Sequence, residues 1–115
     1  MSKLLIKNAH IVSPQVDITY GYVLVEDGRI SQVGKGACQL AADTEYDAKG
    51  ALLVPGMIDI HTHGAAGMDV TDPDPTAVVE VAKAKLAEGC TSFAPTTLTL
   101  AEETLAGSLR AGGRA

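Results

Sequence analysis

Residues 56–64, GMIDIHTHG, set the problem this chain poses. The run is apolar enough for a central strand, yet it carries two of the three histidines, one residue apart, and ends in glycine. Along a strand, side chains at i and i+2 share a face. Met57, Asp59, His61 and His63 therefore form one row, and Ile58, Ile60 and Thr62 the other. The second row is apolar or β-branched and is expected to pack against helices. The first grows more polar toward the C-terminal end, the end that opens onto the working face of a βα barrel. Two imidazoles one pleat apart can converge there on one metal ion, each at about 2.0–2.1 Å. An isolated His-x-His pair also suits ordinary surface or core histidines. The apolar strand, the Asp59 carboxylate in the same row and the glycine-rich loop after His63 turn the reading toward metal. Asp59 has two expected uses: accepting a ring N–H to fix a ligand's tautomer, or holding the backbone of a neighbouring strand.

Outward from this strand toward the C-terminus, GAAGMDVTDPDP reads as a polar loop. Asp69 and Asp72 lie in it; they are expected to shape the loop rather than to serve as further ligands. DPTAVVEVAKAKLAEG then predicts a helix, with Asp74 as N-cap, Pro75 in the first turn and Gly89 as the stop. Val78, Ala82 and Leu86, four apart, are its expected buried stripe. CTSFAPTT predicts a second short strand ending near Pro95, with Thr96 and Thr97 on the same rim as the histidines. Thr99 and Glu102 fit a capping box for a second helix with Leu105 and Leu109 inside, ended by Gly112 and Gly113. Strand, helix, strand, helix is the signature of βα units on a parallel sheet.

The residues before Gly50 have a different character. KLLIKN and AHIVS read as two short strands, closed by Pro14. YGYVLVEDGRISQVG reads as a hairpin whose Asp27-Gly28 turn needs positive φ, and DAKG at 47–50 as another turn. A small antiparallel sheet is expected here. ALLVPGMIDIHTH is nearly all apolar, as a strand covered on both faces would be, with a break at Pro55-Gly56. His10 sits in an ordinary strand pattern and is expected to be a surface histidine without a partner.

Composition narrows the function classes. Hydrophobic residues make up 46% of the 115, so a packed core is feasible; aromatics are 3%, with no Trp, so Val, Ile, Leu and Ala must build it. The net charge of −5 and the scattered basic residues argue against nucleic acid or an anionic membrane as partner. No segment approaches the roughly 18 apolar residues of a membrane span, and the first residues carry no signal-peptide core, so a cytoplasmic location is expected. Cys38 and Cys90 lie in no paired pattern and are read as reduced thiols.

LLVPGMIDIHTHGAAGMDVTD, with its PG-x-ID-x-H-x-H arrangement, resembles the amidohydrolase superfamily of metal-dependent hydrolases. The HGAAGMDVTD loop, the later GCTSFAPTTLT and the VLVEDGRISQVG hairpin narrow the resemblance to the N-acetylglucosamine-6-phosphate deacetylases, over residues 3 to about 106. The resemblance implies an α/β fold: a (β/α)8 barrel preceded by a small β-sandwich. Residues 1–54 would supply part of the sandwich and 55–115 the first two βα units. It implies an enzyme of amino-sugar metabolism that hydrolyses N-acetylglucosamine 6-phosphate to glucosamine 6-phosphate and acetate with a divalent metal, zinc in most members. His61 and His63 match the first-strand metal pair. The substrate would be a small amino-sugar phosphate, with a homo-oligomer left open.

A closed barrel needs about 250 residues, and the ligands and catalytic aspartate that the family draws from later strands have no counterpart here. The chain is therefore expected to be an N-terminal portion, incomplete and inactive as it stands, with no catalytic residue to assign. Two alternatives remain. One is another amidohydrolase, a cyclic amidase or deaminase, since the metal motif is shared. The other is a non-catalytic metal-binding or assembly module.

Overall fold

The computed structural model describes residues 2–115. They form two compact units that divide between Pro55 and Gly56. Among the described residues no helix is long and apolar enough to cross a membrane.

The first unit is a five-stranded sheet: β1 (Lys3–Ser13), β2 (Val16–Glu26), β3 (Arg29–Lys35), β4 (Thr44–Asp47) and β5 (Leu52–Leu53). The order is β3-β2-β1-β4, with β5 also on β1. The β2–β3 hairpin turns at Asp27 (φ 49°) and Gly28 (φ 77°), as the sequence predicts. The turn at 47–50 forms as well, with Lys49 at φ 51° and Gly50 at φ 83°. The sheet is mixed rather than antiparallel, because β4 and β5 both run parallel to β1.

KLLIKN and AHIVS are one continuous strand, not two. The break between them is a β-bulge. From the Ile6–Val23 pair to the Ala9–Gly21 pair, β1 advances one residue more than β2, and Asn8 takes φ 56°. One extra residue exchanges the faces of a strand. Leu5 accordingly packs with Tyr22 and Leu24, whereas Ala9 and Ile11 pack with Val23 in a separate cluster. Asn8 is held by its amide, which donates to Asp47 Oδ1 at 2.9 Å, and by the Tyr20 hydroxyl, which donates to Asn8 Oδ1 at 2.9 Å. His10 has a partner after all: its Nε2 lies 2.8 Å from Asp17 Oδ1 across the β1–β2 ladder.

The second unit contains β6 (Met57–Thr62), β7 (Gly64–Ala65), β8 (Met68–Asp69), α1 (Pro75–Ala87), β9 (Cys90–Pro95) and α2 (Glu102–Gly112). β6 and β9 pair in parallel, as two βα units require. The loop after His63 is more regular than expected: β7 and β8 form a tiny hairpin turning at Ala66 (φ 54°) and Gly67 (φ 78°). Cys38 and Cys90 are both free thiols.

α1 begins as predicted. Asp74 Oδ1 accepts the Thr76 N–H at 2.9 Å, Asp74 Oδ2 accepts the Thr76 hydroxyl at 2.7 Å, and Gly89 takes φ 86° just past the end. The buried stripe is turned from the predicted one. Ala77, Val78 and Val81 are buried, and Leu86 is 64% exposed. The helix packs on β9 and on the β7–β8 hairpin, which selects the Ala77–Val81–Lys85 row. In α2 the expected capping box is absent: the N-cap is Ala101, without a side-chain bond. Its buried residues are small, Ser108 and Ala111, while Leu105 is half-buried and Leu109 is 60% exposed. Buried Ser108 donates its hydroxyl to the Thr71 carbonyl, an anchor that a leucine could not supply.

The Thr76 hydroxyl and N–H hold the Asp74 carboxyl below its ordinary value. A lowered folded pKa means stability that is present above the ordinary carboxylate range and lost as pH falls through the lowered value. Asp74→Ala is expected to lower the melting temperature at neutral pH and to remove that part of the acid destabilisation. Melts followed at 222 nm across the acid range check both.

Candidate metal centre

β6 brings His61 to the strand's last full pleat and His63 just past its end, where Gly64 opens the β7–β8 hairpin. The rings meet edge to face, with centroids 4.9 Å apart and an interplanar angle of 84°. Their Nε2 atoms are 3.2 Å apart. Two nitrogens bound tetrahedrally at about 2.0–2.1 Å sit roughly 3.3 Å from each other. The observed spacing therefore suits two ligands of one ion. His61 is exposed and His63 half-buried.

The chemistry of His63 is fixed from behind. Its Nδ1 lies 2.8 Å from the Thr96 carbonyl oxygen. A carbonyl only accepts, so Nδ1 carries the proton, and in the neutral ring the lone pair is on Nε2, facing His61. This is the arrangement that prepares a histidine for a metal. Thr96 is held in turn, its N–H donating to the Thr62 carbonyl at 2.8 Å. His63 is secured on its other side as well, since its carbonyl accepts the Val70 N–H at 2.7 Å. The sequence places Thr96 on the histidines' rim. Its contribution here is a main-chain oxygen, which no side-chain pattern announces.

Asp59 takes neither of its expected roles. Its Oδ1 accepts the backbone N–H of His61 at 3.0 Å, and its Oδ2 lies 3.2 Å from Lys85 Nζ. It meets no ring nitrogen and holds its own strand rather than a neighbour. The His61 N–H, and then the Lys85 ammonium, keep its carboxyl below the ordinary range, while the same contact raises Lys85. Ile58 and Ile60 also depart from expectation. They are 71% and 81% exposed rather than packed under helices, because α1 lies over β9 and the hairpin. β6 is thus not covered on both faces by the described residues.

Asp69 and Asp72 shape the loop, as predicted. Asp69 Oδ1 accepts the Thr71 N–H and hydroxyl, and Asp72 Oδ2 accepts the Asp69 N–H at 3.1 Å. Among the described residues no group of three or more His, Cys, Asp or Glu side chains is placed to hold an ion. The pair fits a divalent cation as two of its ligands, and only two.

The chain matches no family model. It is 40% identical over 98 residues to the N-acetylglucosamine-6-phosphate deacetylase of Bacillus subtilis (strain 168), covering 84% of this chain and 24% of that enzyme. It is 40% identical over 68 residues to a 5'-deoxyadenosine deaminase of Methanosarcina mazei, covering 56% of this chain and 16% of the deaminase. The crystal structure of N-acetylglucosamine-6-phosphate deacetylase from Pasteurella multocida superposes with a TM-score of 0.87 at 20% identity, over 97% of this chain and 30% of that one. At that identity the superposition speaks for the fold. The chain thus spans about a quarter of the length of the deacetylase it matches. Sequence and fold together relate it to the N-acetylglucosamine-6-phosphate deacetylases of the amidohydrolase superfamily.

Proposed function

We propose that this chain supplies the first-strand metal ligands, His61 and His63, of a deacetylase that hydrolyses the acetamide of N-acetylglucosamine 6-phosphate to glucosamine 6-phosphate and acetate. In this reading residues 55–115 are the first two βα units of a (β/α)8 barrel, and residues 1–54 are part of a flanking β-sandwich. The observation that carries it is the pair of Nε2 atoms 3.2 Å apart, with His63 Nδ1 engaged by the Thr96 carbonyl. A divalent cation, zinc, would supply the positive charge that polarises an amide carbonyl and activates water. The chain's own part is to hold two imidazoles in register: the carbonyl fixes one tautomer, and the hairpin fixes the rim. Two nitrogens leave a tetrahedral ion short of ligands, and the acidic residues of the strand and its loop, Asp59, Asp69 and Asp72, are taken up by backbone, hydroxyl and lysine donors. We therefore assign the 115-residue chain itself no turnover.

Zinc titration tests the site. Addition of zinc to the 115-residue chain is expected to shift the ring resonances of His61 and His63 together, and either His61→Ala or His63→Ala to abolish the shift of the remaining ring. Rings that ignore zinc in the unaltered chain overturn the assignment. The deaminase likeness supports a second reading, a deaminase sharing the metal pair, but it covers 68 residues against 98 for the deacetylase. Acetate release from N-acetylglucosamine 6-phosphate, or ammonia release from 5'-deoxyadenosine, by a full-length protein carrying this segment separates the two.

A further inference from the structure

β6 does not run evenly along β9. From the Asp59–Phe93 pair to the Thr62–Pro95 pair, β6 advances one residue more than its partner. The extra residue makes a β-bulge across Ile60 and His61, and bulges re-aim the side chain they carry. A bulge also takes a backbone donor out of the ladder. At this bulge the His61 N–H is accepted by Asp59 Oδ1, at 3.0 Å.

The other oxygen of that carboxylate leads to a helix. Lys85 continues the buried Ala77–Val81 row of α1 by one turn, so its stem lies against the unit, and only 18% of its side chain is exposed. Its ammonium is 3.2 Å from Asp59 Oδ2 and 3.4 Å from Glu88 Oε2. The Glu88 side chain is 63% exposed, whereas that of Asp59 is 28% exposed, so water competes less for the Asp59 contact. An unbroken line of contacts therefore joins α1 to the backbone of His61. His63 does not share it, being fixed by Thr96 and Val70 instead.

We propose that Lys85 is a positioning residue for His61: by orienting the Asp59 carboxylate it sets the β6 bulge that brings the His61 ring to His63. The proposal rests on reading the histidine pair as a metal site, but its central measurement needs no metal. The two histidines are positioned by separate devices, an ion pair from a helix and a carbonyl just past the end of β9. Disturbing the first is therefore expected to move one ring and leave the other.

The test uses the 115-residue chain with Lys85→Met, Lys85→Arg, Asp59→Ala and the Lys85→Met/Asp59→Ala pair. In Lys85→Met the His61 amide proton is expected to move upfield and exchange faster, the His63 Nδ1–H signal to stay in place, and zinc affinity to fall about 10-fold, as for loss of other groups that orient a ligand. Lys85→Arg is expected to restore all three. In the Asp59→Ala background Lys85→Met is expected to add nothing, since its route to His61 is already cut. An unmoved His61 amide, additive effects in the double variant, or failure of arginine to rescue overturns the proposal. So does simultaneous loss of the His63 signal in Lys85→Met, which would make the lysine a determinant of the whole unit. Should the unaltered chain fail to bind zinc, the metal reading falls, and the amide measurements still decide the role of Lys85.

Discussion

Gly64→Ala is expected to destabilise the second unit by about 3 kcal/mol, the upper end for overpacking at a site that cannot yield. A Cβ on Gly64 would stand 2.2 Å from the Met68 carbonyl oxygen and 3.1 Å from Asp69 Cα. Both are backbone atoms of the strand that pairs with Gly64, so no rotamer change can make room. Relief requires the hairpin to open. Opening pulls Val70 from its hydrogen bond to the His63 carbonyl and loosens the rim of the histidine pair. Both helices lie in this unit, so urea denaturation followed at 222 nm reads the loss directly. Zinc titration of the same variant is expected to show weakened binding. Gly67→Ala is the informative control: its Cβ would meet nothing within 4 Å, but φ is +78°. It therefore bears only the left-handed penalty of about 1–2 kcal/mol. A Gly64→Ala variant that melts no lower than Gly67→Ala would refute the steric account.

Leu5→Ala carries the second large effect, in the sheet unit. Leu5 is 2% exposed and is one of the two largest fully buried side chains, the other being Val81. It packs with Tyr22 and Leu24, and with Cys38 and Ala42 at the margin. Truncation of such a leucine is expected to remove about 2–5 kcal/mol, with the higher figure favoured because a backbone ladder on either side keeps the cavity from collapsing. A unit of this size has little stability to spare. All three tyrosines, Tyr20, Tyr22 and Tyr46, lie before Pro55, and the chain has no tryptophan. Tyrosine fluorescence in a urea series therefore reports this unit alone, and a midpoint unchanged by Leu5→Ala would contradict the packing described.

The parts of the fold that were legible in the sequence are those set by local chemistry. Asp27-Gly28 accepts positive φ, so the hairpin closed where predicted. Asp74, Pro75 and Gly89 bracket α1 because capping and stopping need only neighbours. What escaped depends on partners distant in sequence. The Asn8 bulge is sustained by Asp47 and Tyr20, 39 and 12 residues away, and nothing in KLLIKNAHIVS reveals them. On α1 Val78 is buried as expected and Leu86 is not, because the Val78, Ala82 and Leu86 row matches the helical period as well as Ala77, Val81 and Lys85 do. The choice was made by what lies beneath the helix. α2 lacks its predicted capping box, since Thr99 stands too far ahead of the first turn at Glu102.

The same division runs through the histidine pair. The spacing of His61 and His63 placed two imidazoles together without further information, because a strand offers few ways to arrange them. Asp59 was assigned to a ring or to a neighbouring strand, and instead serves its own bulge and Lys85. Perfect alternation was the assumption that failed: the extra residue in β6 breaks the i, i+2 rule between Asp59 and the histidines.

The grip of the Thr96 carbonyl on His63 has an evolutionary corollary. A peptide oxygen is supplied by all twenty amino acids, so selection for this contact leaves no signature in the identity of residue 96. Its guardians are whatever keeps β9 from sliding along β6. Drift at position 96 is therefore compatible with an unaltered imidazole, and a one-residue slip between the strands is not.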